Sequence, residues 1–584
     1  MAVAIHQISP VAHLPLVLGV VRQLNVAALI DTFCPPHPAH VLSSGRGVEA
    51  LLLAMLDGHH ALYQVGARLE DRGMLPLLQP GLNRPSLHDS RLGQILDALC
   101  AAHLNRVFGA IALNALAVYA LSTPWLHQDT TTITLYGADE EEEGGPVAGP
   151  VPPRPAYGHS KDGRDDLKQV LLSLGVSRDG LPLRLGGRDG NTSDSTETPV
   201  AIEKCLALGL EGVRGLVADR KAYCQRTLGL CLEQGVGLIT LVPRTCAVRQ
   251  ELEAWGQQYG ALPLWLDNPG RTRQEPPRRW HGQSVVRRVP VEYADGRLDV
   301  AEIRFLVVHS SQLAHQAAVA YAAAQAKEAE RVAEHVRPSE ARWVACAADA
   351  EAAIAEYAGR GQGRRGRKPR PWRDHILHDQ VEAVRCSKKR TRRGRPPKAE
   401  ASQVEVRYRL VVHPEALVPA EDAHGWTVLA TTMRPEVCTD VERLQAYQEQ
   451  QITVEPGVRW IKNPAAISPV WLEKPERIAA LAMLTVVGLL VYAVIQRQVR
   501  LYLRDHDQQI PGNKGPTATP TAAVVCALFA PVTLVQFAVD KTTSLQVHGV
   551  QNHHLIVCEA VDIDPAWYQG AGTGQNSRPR TTPP

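Results

Sequence analysis

No part of this 584-residue chain restricts its fold as tightly as the succession of apolar patterns between residues 125 and 244. WLHQDTTTITLYG, rich in Thr and Ile, reads as a strand. LKQVLLSLGVS and LPLRLGGRDGN are two more strand-type runs, separated by the turn signal Arg178-Asp179-Gly180. TETPVAIEKCLALGL then has helical spacing, with Ser195 or Thr196 as its N-cap and Pro199 within its first turn. GVRGLVADR reads as a short strand, AYCQRTLGLCLEQG as a helix ending at Gly235, and GLITLVPR as another strand. The order is strand, strand, strand, helix, strand, helix, strand. It opens as a meander and continues as right-handed crossover units.

That element order is the one of a ribonuclease H-like α/β core, a mixed sheet flanked by helices in which the first and fourth strands are neighbours. The flanking regions divide by pattern. Residues 1–117 show apolar residues at helical spacing and form a helical N-terminal segment, either a DNA-binding or dimerisation module or a cap on the core domain. Residues 118–245 hold the first part of the core. Residues 246–440 mix alternating strands (RLDVAEIRFLVVH, EVRYRLVVH, WTVLATT) with an Ala/Glu-rich helix and read as an insertion. Residues 441–510 supply the core's last helices, and 511–584 a helical region ending in a tail low in apolar residues, expected to be disordered.

Composition is that of an ordinary globular chain, 45% apolar and 21% charged with a net charge of +3. The eleven cysteines include no CxxC pair, which argues against a zinc ribbon or a disulfide framework and for reduced thiols in a cytoplasmic protein. The first residues carry no basic segment before their apolar run, so a signal peptide is not expected. One run, IAALAMLTVVGLLVYAVI at 478–495, is free of charge over a length at the lower limit for crossing a bilayer. A helix buried on all sides has the same pattern, and that is the expectation here, with no membrane partner.

Asp129 lies in the first strand of the expected core and Asp219 at the end of the fourth. Neighbouring carboxylates repel unless a cation joins them, and hard oxygen donors suit Mg²⁺, with Mn²⁺ as a substitute. Two such ions activate an attacking oxygen and stabilise a leaving oxygen in phosphoryl transfer. A third carboxylate is expected from the late helical segment. Glu455 is the candidate, with Glu449, Glu473 and Glu476 as alternatives that periodicity does not separate. Lys462, seven residues after Glu455, falls on the same face of a continuous helix and can hold a DNA phosphate.

HQDTT in one strand, LVADRKAY in another and a distal Y-x-x-Q-x-x-x-x-E-x-x-x-x-x-x-K resemble the insertion-sequence DDE transposases with a YREK signature. YGHSKDGRDDLKQVLLSLGVSRDGLPL, GNTSDSTE and WLEKPERIAALAMLTVVGLLVY are similar to that group too. The resemblance covers roughly residues 45–505, least specifically around 310–400. It implies that Asp129, Asp219 and Glu455 form a catalytic, metal-binding triad, with Tyr447 and Lys462 beside the scissile phosphate. It also implies cutting and joining at the inverted-repeat ends of the element itself, by a homodimer acting on double-stranded DNA. Glutamine (Gln450 or Gln451) replaces the signature arginine, the Tyr-to-Glu spacing is one residue longer than usual, and Pro456 places Glu455 at a helix entrance.

Residues 360–398 concentrate Arg and Lys. Arg393-Gly394-Arg395-Pro396 is similar to an AT-hook, which inserts arginines into a narrow minor groove; the plainer reading is a basic loop that grips phosphates. The expected activity is that of a DNA transposase. The rivals are a ribonuclease H-like nuclease that hydrolyses without joining, and a DNA-binding protein of transposon origin without catalysis.

Overall fold

The computed structural model describes residues 3–58, 61–121, 123–135, 152–158, 164, 166–208, 213–259, 262–268, 277–320, 322–323, 342–344, 348–352, 377–385, 404–412, 425–449, 472, 474–539 and 542–568. The strands among these residues are, in chain order, β1 (Val3–Ser9), β2 (Trp125–Thr134), β3 (Ala156–Tyr157), β4 (Lys168–Ser177), β5 (Pro182–Asp189), β6 (Gly215–Ala218), β7 (Gly237–Leu241), β8 (Leu264–Asn268), β9 (Arg278–Glu292), β10 (Leu298–Ser310), β11 (Arg342–Val344), β12 (Leu377–Arg385), β13 (Val404–Val412), β14 (Trp426–Thr431), β15 (Thr533–Val539) and β16 (Thr542–His548).

The fold is α/β. Its main sheet has ten strands in the order β3-β4-β2-β6-β7-β14-β10-β9-β8, with β5 hydrogen-bonded to β4. β2 is buried at every position except Asp129 and Thr134, as a strand covered on both faces must be. Its Thr and Ile side chains suit that place, because branching at Cβ packs well on a pleated surface. β4 runs antiparallel to β2 and β5 antiparallel to β4, the expected meander. The helices Asp194–Leu206 and Gln225–Glu233 then carry the chain to β6, parallel to β2, and to β7, parallel to β6. The first and fourth strands of the core are therefore neighbours, as the element order required.

Two compact units divide the chain. The first comprises Met1–Pro243, Val285–Phe305 and Leu429–Pro584, the second Arg244–Ser284 and Leu306–Val428. In the first unit β14 returns antiparallel to β7, pairing Leu429 with Leu241 and Thr431 with Ile239. In the second, β8 pairs antiparallel with the start of β9, and β11, β13 and β12 form an antiparallel sheet. The runs RLDVAEIRFLVVH, EVRYRLVVH and WTVLATT are β10, β13 and β14.

Three segments depart from the sequence expectation. The helix predicted to start after Ser195 or Thr196 begins at Asp194, because the Ser193 hydroxyl accepts the Ser195 N–H and caps it; Pro199 thus lies inside the helix. Residues 3–9, read as helical, form β1, whose partner β15 is more than 500 residues away and invisible to local pattern. The C-terminal region, read as helical, contributes β15 and β16 beside its helices Ala522–Leu528 and Asn552–Ala560.

The uncharged run lies within one helix, Pro475–Asp505. Pro475 at its start costs nothing there, since the first turn has no internal acceptor for its missing N–H. By length and composition this helix could cross a membrane, and 94% of its apolar window is buried within the protein. Two bent pairs, Leu14–Gln23 with Val26–Phe33 and Asp89–Ala101 with Leu104–Val118, meet the same measure only if each pair counts as one span. The long helix packs against helices Ser44–Leu56, Asp89–Ala101 and Leu104–Val118 and against β5, all of the first unit. Arg477 anchors its first turn by a two-pronged contact on Asp97, at 2.8 and 2.7 Å.

Candidate active site

The parallel pairing of β2 with β6 runs from Trp125 opposite Gly215 to Gln128 opposite Ala218. The next residues on the two strands are Asp129 and Asp219. Neighbouring strands lie about 4.8 Å apart, so the register makes Asp129 and Asp219 neighbouring positions on adjacent central strands.

Each is held by its local backbone. Asp129 is half-buried, and its Oδ1 accepts the Thr130 N–H at 2.7 Å. β6 stops at Ala218 because Asp219 turns the chain: its Oδ1 accepts the Lys221 N–H at 2.9 Å and caps the short 3₁₀ turn Arg220–Ala222. From β7, the Thr240 hydroxyl donates to the Asp219 carbonyl at 2.6 Å. Asp219 is thus fixed by its own turn and by the next strand.

A third acid, missed by the sequence reading, braces the two segments that carry the pair. Asp194 opens the helix Asp194–Leu206; its Oδ1 accepts the Thr130 hydroxyl at 3.1 Å and its Oδ2 the Lys221 ammonium at 2.6 Å. Thr130 follows Asp129, and Lys221 lies two residues past Asp219, so one carboxylate ties the two aspartate-bearing segments together. Side chains alternate along a strand, so Thr130 faces away from Asp129 and Asp194 braces β2 from behind. An acid in a helix's first turn reads in sequence as a dipole partner, which hid this role.

The loop before Asp194 is set by a close approach at Gly190. A Cβ there would stand 1.8 Å from the Gln169 carbonyl oxygen, and the Gln169 amide donates to the Gly190 carbonyl at 2.9 Å. Only glycine lets β4 and the end of β5 meet so closely.

His127 shares the Asp129 face of β2, is fully buried, and neither ring nitrogen has a hydrogen-bond partner among the described residues. Desolvation first, and the positive charge of Arg178 second, push its pKa down to about 4. Arg178 is itself paired with Glu449 at 2.6 Å. It follows Ser177, the partner of Leu126, which stands three residues before Asp129, about 10 Å along the strand. Glu449, one of the alternatives for the third acid, is therefore committed to an arginine at the far end of β2, and burial raises its pKa despite that partner. Glu476 lies in the first turn of Pro475–Asp505, half-buried. Tyr447 is half-buried in the helix Asp440–Glu449. Glu455, Lys462, Gln450, Gln451, Pro456, Glu473, Arg393 and Arg395 lie outside the described residues. Among the described residues no group of three His, Cys, Asp or Glu side chains is gathered as a metal site. The described candidates are thus Asp129 and Asp219, at neighbouring positions and with oxygens of the hard type that a divalent cation takes.

Residues 6–113 match the family model described as a domain of unknown function, DUF4277. That match covers the N-terminal helices and stops before β2. No curated protein matches the chain.

Proposed function

We propose that the chain is a DNA transposase that cuts and rejoins DNA at the inverted-repeat ends of its own element, in the cytoplasm, as a homodimer on double-stranded DNA. The observation that carries this reading is the β2–β6 register, which leaves Asp129 and Asp219 as neighbours at the point where β6 ends. The motifs HQDTT and LVADRKAY around them support it.

Asp129 and Asp219 would hold Mg²⁺ or Mn²⁺, with Glu455 as the third acid. Bound there, the cation supplies Lewis-acid stabilisation of the attacking and leaving oxygens of a phosphodiester. The chain's own part is to hold those carboxylates still. The Thr130 and Lys221 amides orient one oxygen of each, and Asp194 keeps the two segments in register. The expected reaction is attack of water on the phosphodiester, freeing a 3′-hydroxyl, followed by attack of that hydroxyl on a target strand. Tyr447 and Lys462 would contact the phosphate.

The test is incubation of the protein with Mg²⁺ and DNA carrying the terminal repeats that flank its coding region. Joined products support a transposase. Cleavage without joining supports a nuclease, and binding without cleavage a protein whose catalysis has lapsed. Asp129→Ala, Asp219→Ala and Glu455→Ala should each abolish cleavage while leaving DNA binding largely intact. Full cleavage by one of them removes that residue from the triad.

A further inference from the structure

The DUF4277-matching region contains a cleft of about 410 Å³ between the helix Val26–Phe33, the loop after it and the helix Asp89–Ala101. Its lining includes Arg91, His37, His40 and Ser44 and no aspartate or glutamate. Arg91 is 9% exposed. Its Nη2 donates to the Leu42 carbonyl at 2.9 Å, and its Nε is buried with no partner among the described residues. Asp31 is the acid whose charge reaches it, but Asp31 accepts the Gly45 N–H at 2.7 Å, and desolvation outweighs its effect on Arg91. A guanidinium taken out of water with no carboxylate against it is costly, and proteins rarely keep one without an anion to meet it.

The remaining polar groups match that need. Nδ1 of His37 accepts the Ala39 N–H at 3.2 Å, so the neutral ring carries its proton on Nε2 and offers a donor. His40 lies 5.3 Å from it, ring centre to ring centre. A second arginine, Arg106, sits 6.0 Å from the ring of Phe33, another lining residue. Ala98, Ala101 and Ala102 complete the lining. With Nε enclosed and Nη2 on Leu42, the guanidinium's remaining N–H groups and its charge suit a phosphate oxygen.

We infer that this cleft binds a phosphate group and, resting here on the transposase reading, that the group is a backbone phosphate of duplex DNA. The N-terminal helical segment then contributes directly to holding DNA, outside the aspartate pair.

The experiment uses the full chain without divalent ions, as wild type, Arg91→Gln and Ala101→Glu. Ala101 is exposed, so its glutamate puts an anion in the cleft without touching the Arg91–Leu42 contact. Affinity for a short duplex DNA of unrelated sequence is measured against salt, and thermal stability with and without inorganic phosphate at matched ionic strength. Both variants should lose roughly tenfold or more in DNA affinity, and the slope of log K against log salt should fall by about one unit. Phosphate should raise the melting temperature of the wild type and not of the variants. A phosphate effect with an unchanged DNA slope overturns the DNA assignment alone. Variants indistinguishable from wild type in both arms overturn the cleft as a site. Should the chain bind no DNA at all, the transposase reading fails, and the phosphate arm still decides the cleft. If Arg91→Gln does not fold, Ala101→Glu decides it.

Discussion

Buried two residues from Asp129, with no hydrogen-bond partner among the described residues, His127 has a consequence for stability. Its pKa in the folded state is about 4, below the ordinary histidine value of 6.5. Between those values the unfolded chain binds the proton and the folded chain does not, so stability falls as pH drops from about 6.5 towards 4. The loss should reach about 2 kcal/mol at pH 5 relative to pH 8. His127→Gln should remove that portion of the pH dependence in urea titrations; a variant whose acid loss equals the wild type's would show that His127 is not the titrating group. Asp194 and Lys221 carry a second prediction. Asp194→Ala or Lys221→Ala should slow single-turnover cleavage of pre-bound DNA by about tenfold to a hundredfold through misplacement, with DNA affinity unchanged. Asp194→Asn, which keeps an acceptor for Thr130, should recover part of the rate; equal loss in Ala and Asn variants would argue against a positioning role. Asp129 and Asp219 were legible in the sequence because each ends or interrupts an apolar run in a fixed element order. Asp194 was not, since its partners Thr130 and Lys221 lie 64 and 27 residues away.

The elements that position the site rest on close contacts as much as on apolar pattern. Gly190→Ala forces a Cβ to within 1.8 Å of the Gln169 carbonyl, so β4 or the loop must move. It should cost about 1–3 kcal/mol, read as a lower urea midpoint. Gly109→Ala is the matched control: it lies in the helix Leu104–Val118, nothing stands within 4 Å of its added Cβ, and it should stabilise by up to about 1 kcal/mol. Equal effects would mean that the Gly190 contact does not constrain the loop. The meander and both crossovers were readable because each strand or helix there keeps one clear period and ends at a turn or cap. β9, RRWHGQSVVRRVPVE, was not read as a strand, because charged, amide and imidazole side chains recur along it and break its apolar alternation. β1 escaped for a different reason: a seven-residue strand is recognisable mainly by its partner, and its partner β15 is at the other end of the chain.

At the scale of the molecule, the first unit is organised around the helix Pro475–Asp505 and the sheet it packs on. Its pattern told of burial, and the burial of its apolar window within the protein accounts for the absence of charge. Leu484→Ala or Leu490→Ala, both at fully buried positions, should cost about 2–5 kcal/mol. The basic segment at 360–398 makes a prediction that needs only its composition: Arg393→Ala with Arg395→Ala should lower the salt slope of DNA binding, and an unchanged slope would show that it does not touch DNA. The catalytic role turns on whether Asp129 and Asp219 hold one cation between them. Ferrous iron, supplied in place of Mg²⁺ with ascorbate and peroxide, cuts a polypeptide where the ion is bound. Backbone breaks should appear next to both Asp129 and Asp219 and disappear together in either Asp→Asn variant. Breaks at one aspartate that persist when the other is changed would contradict the shared site.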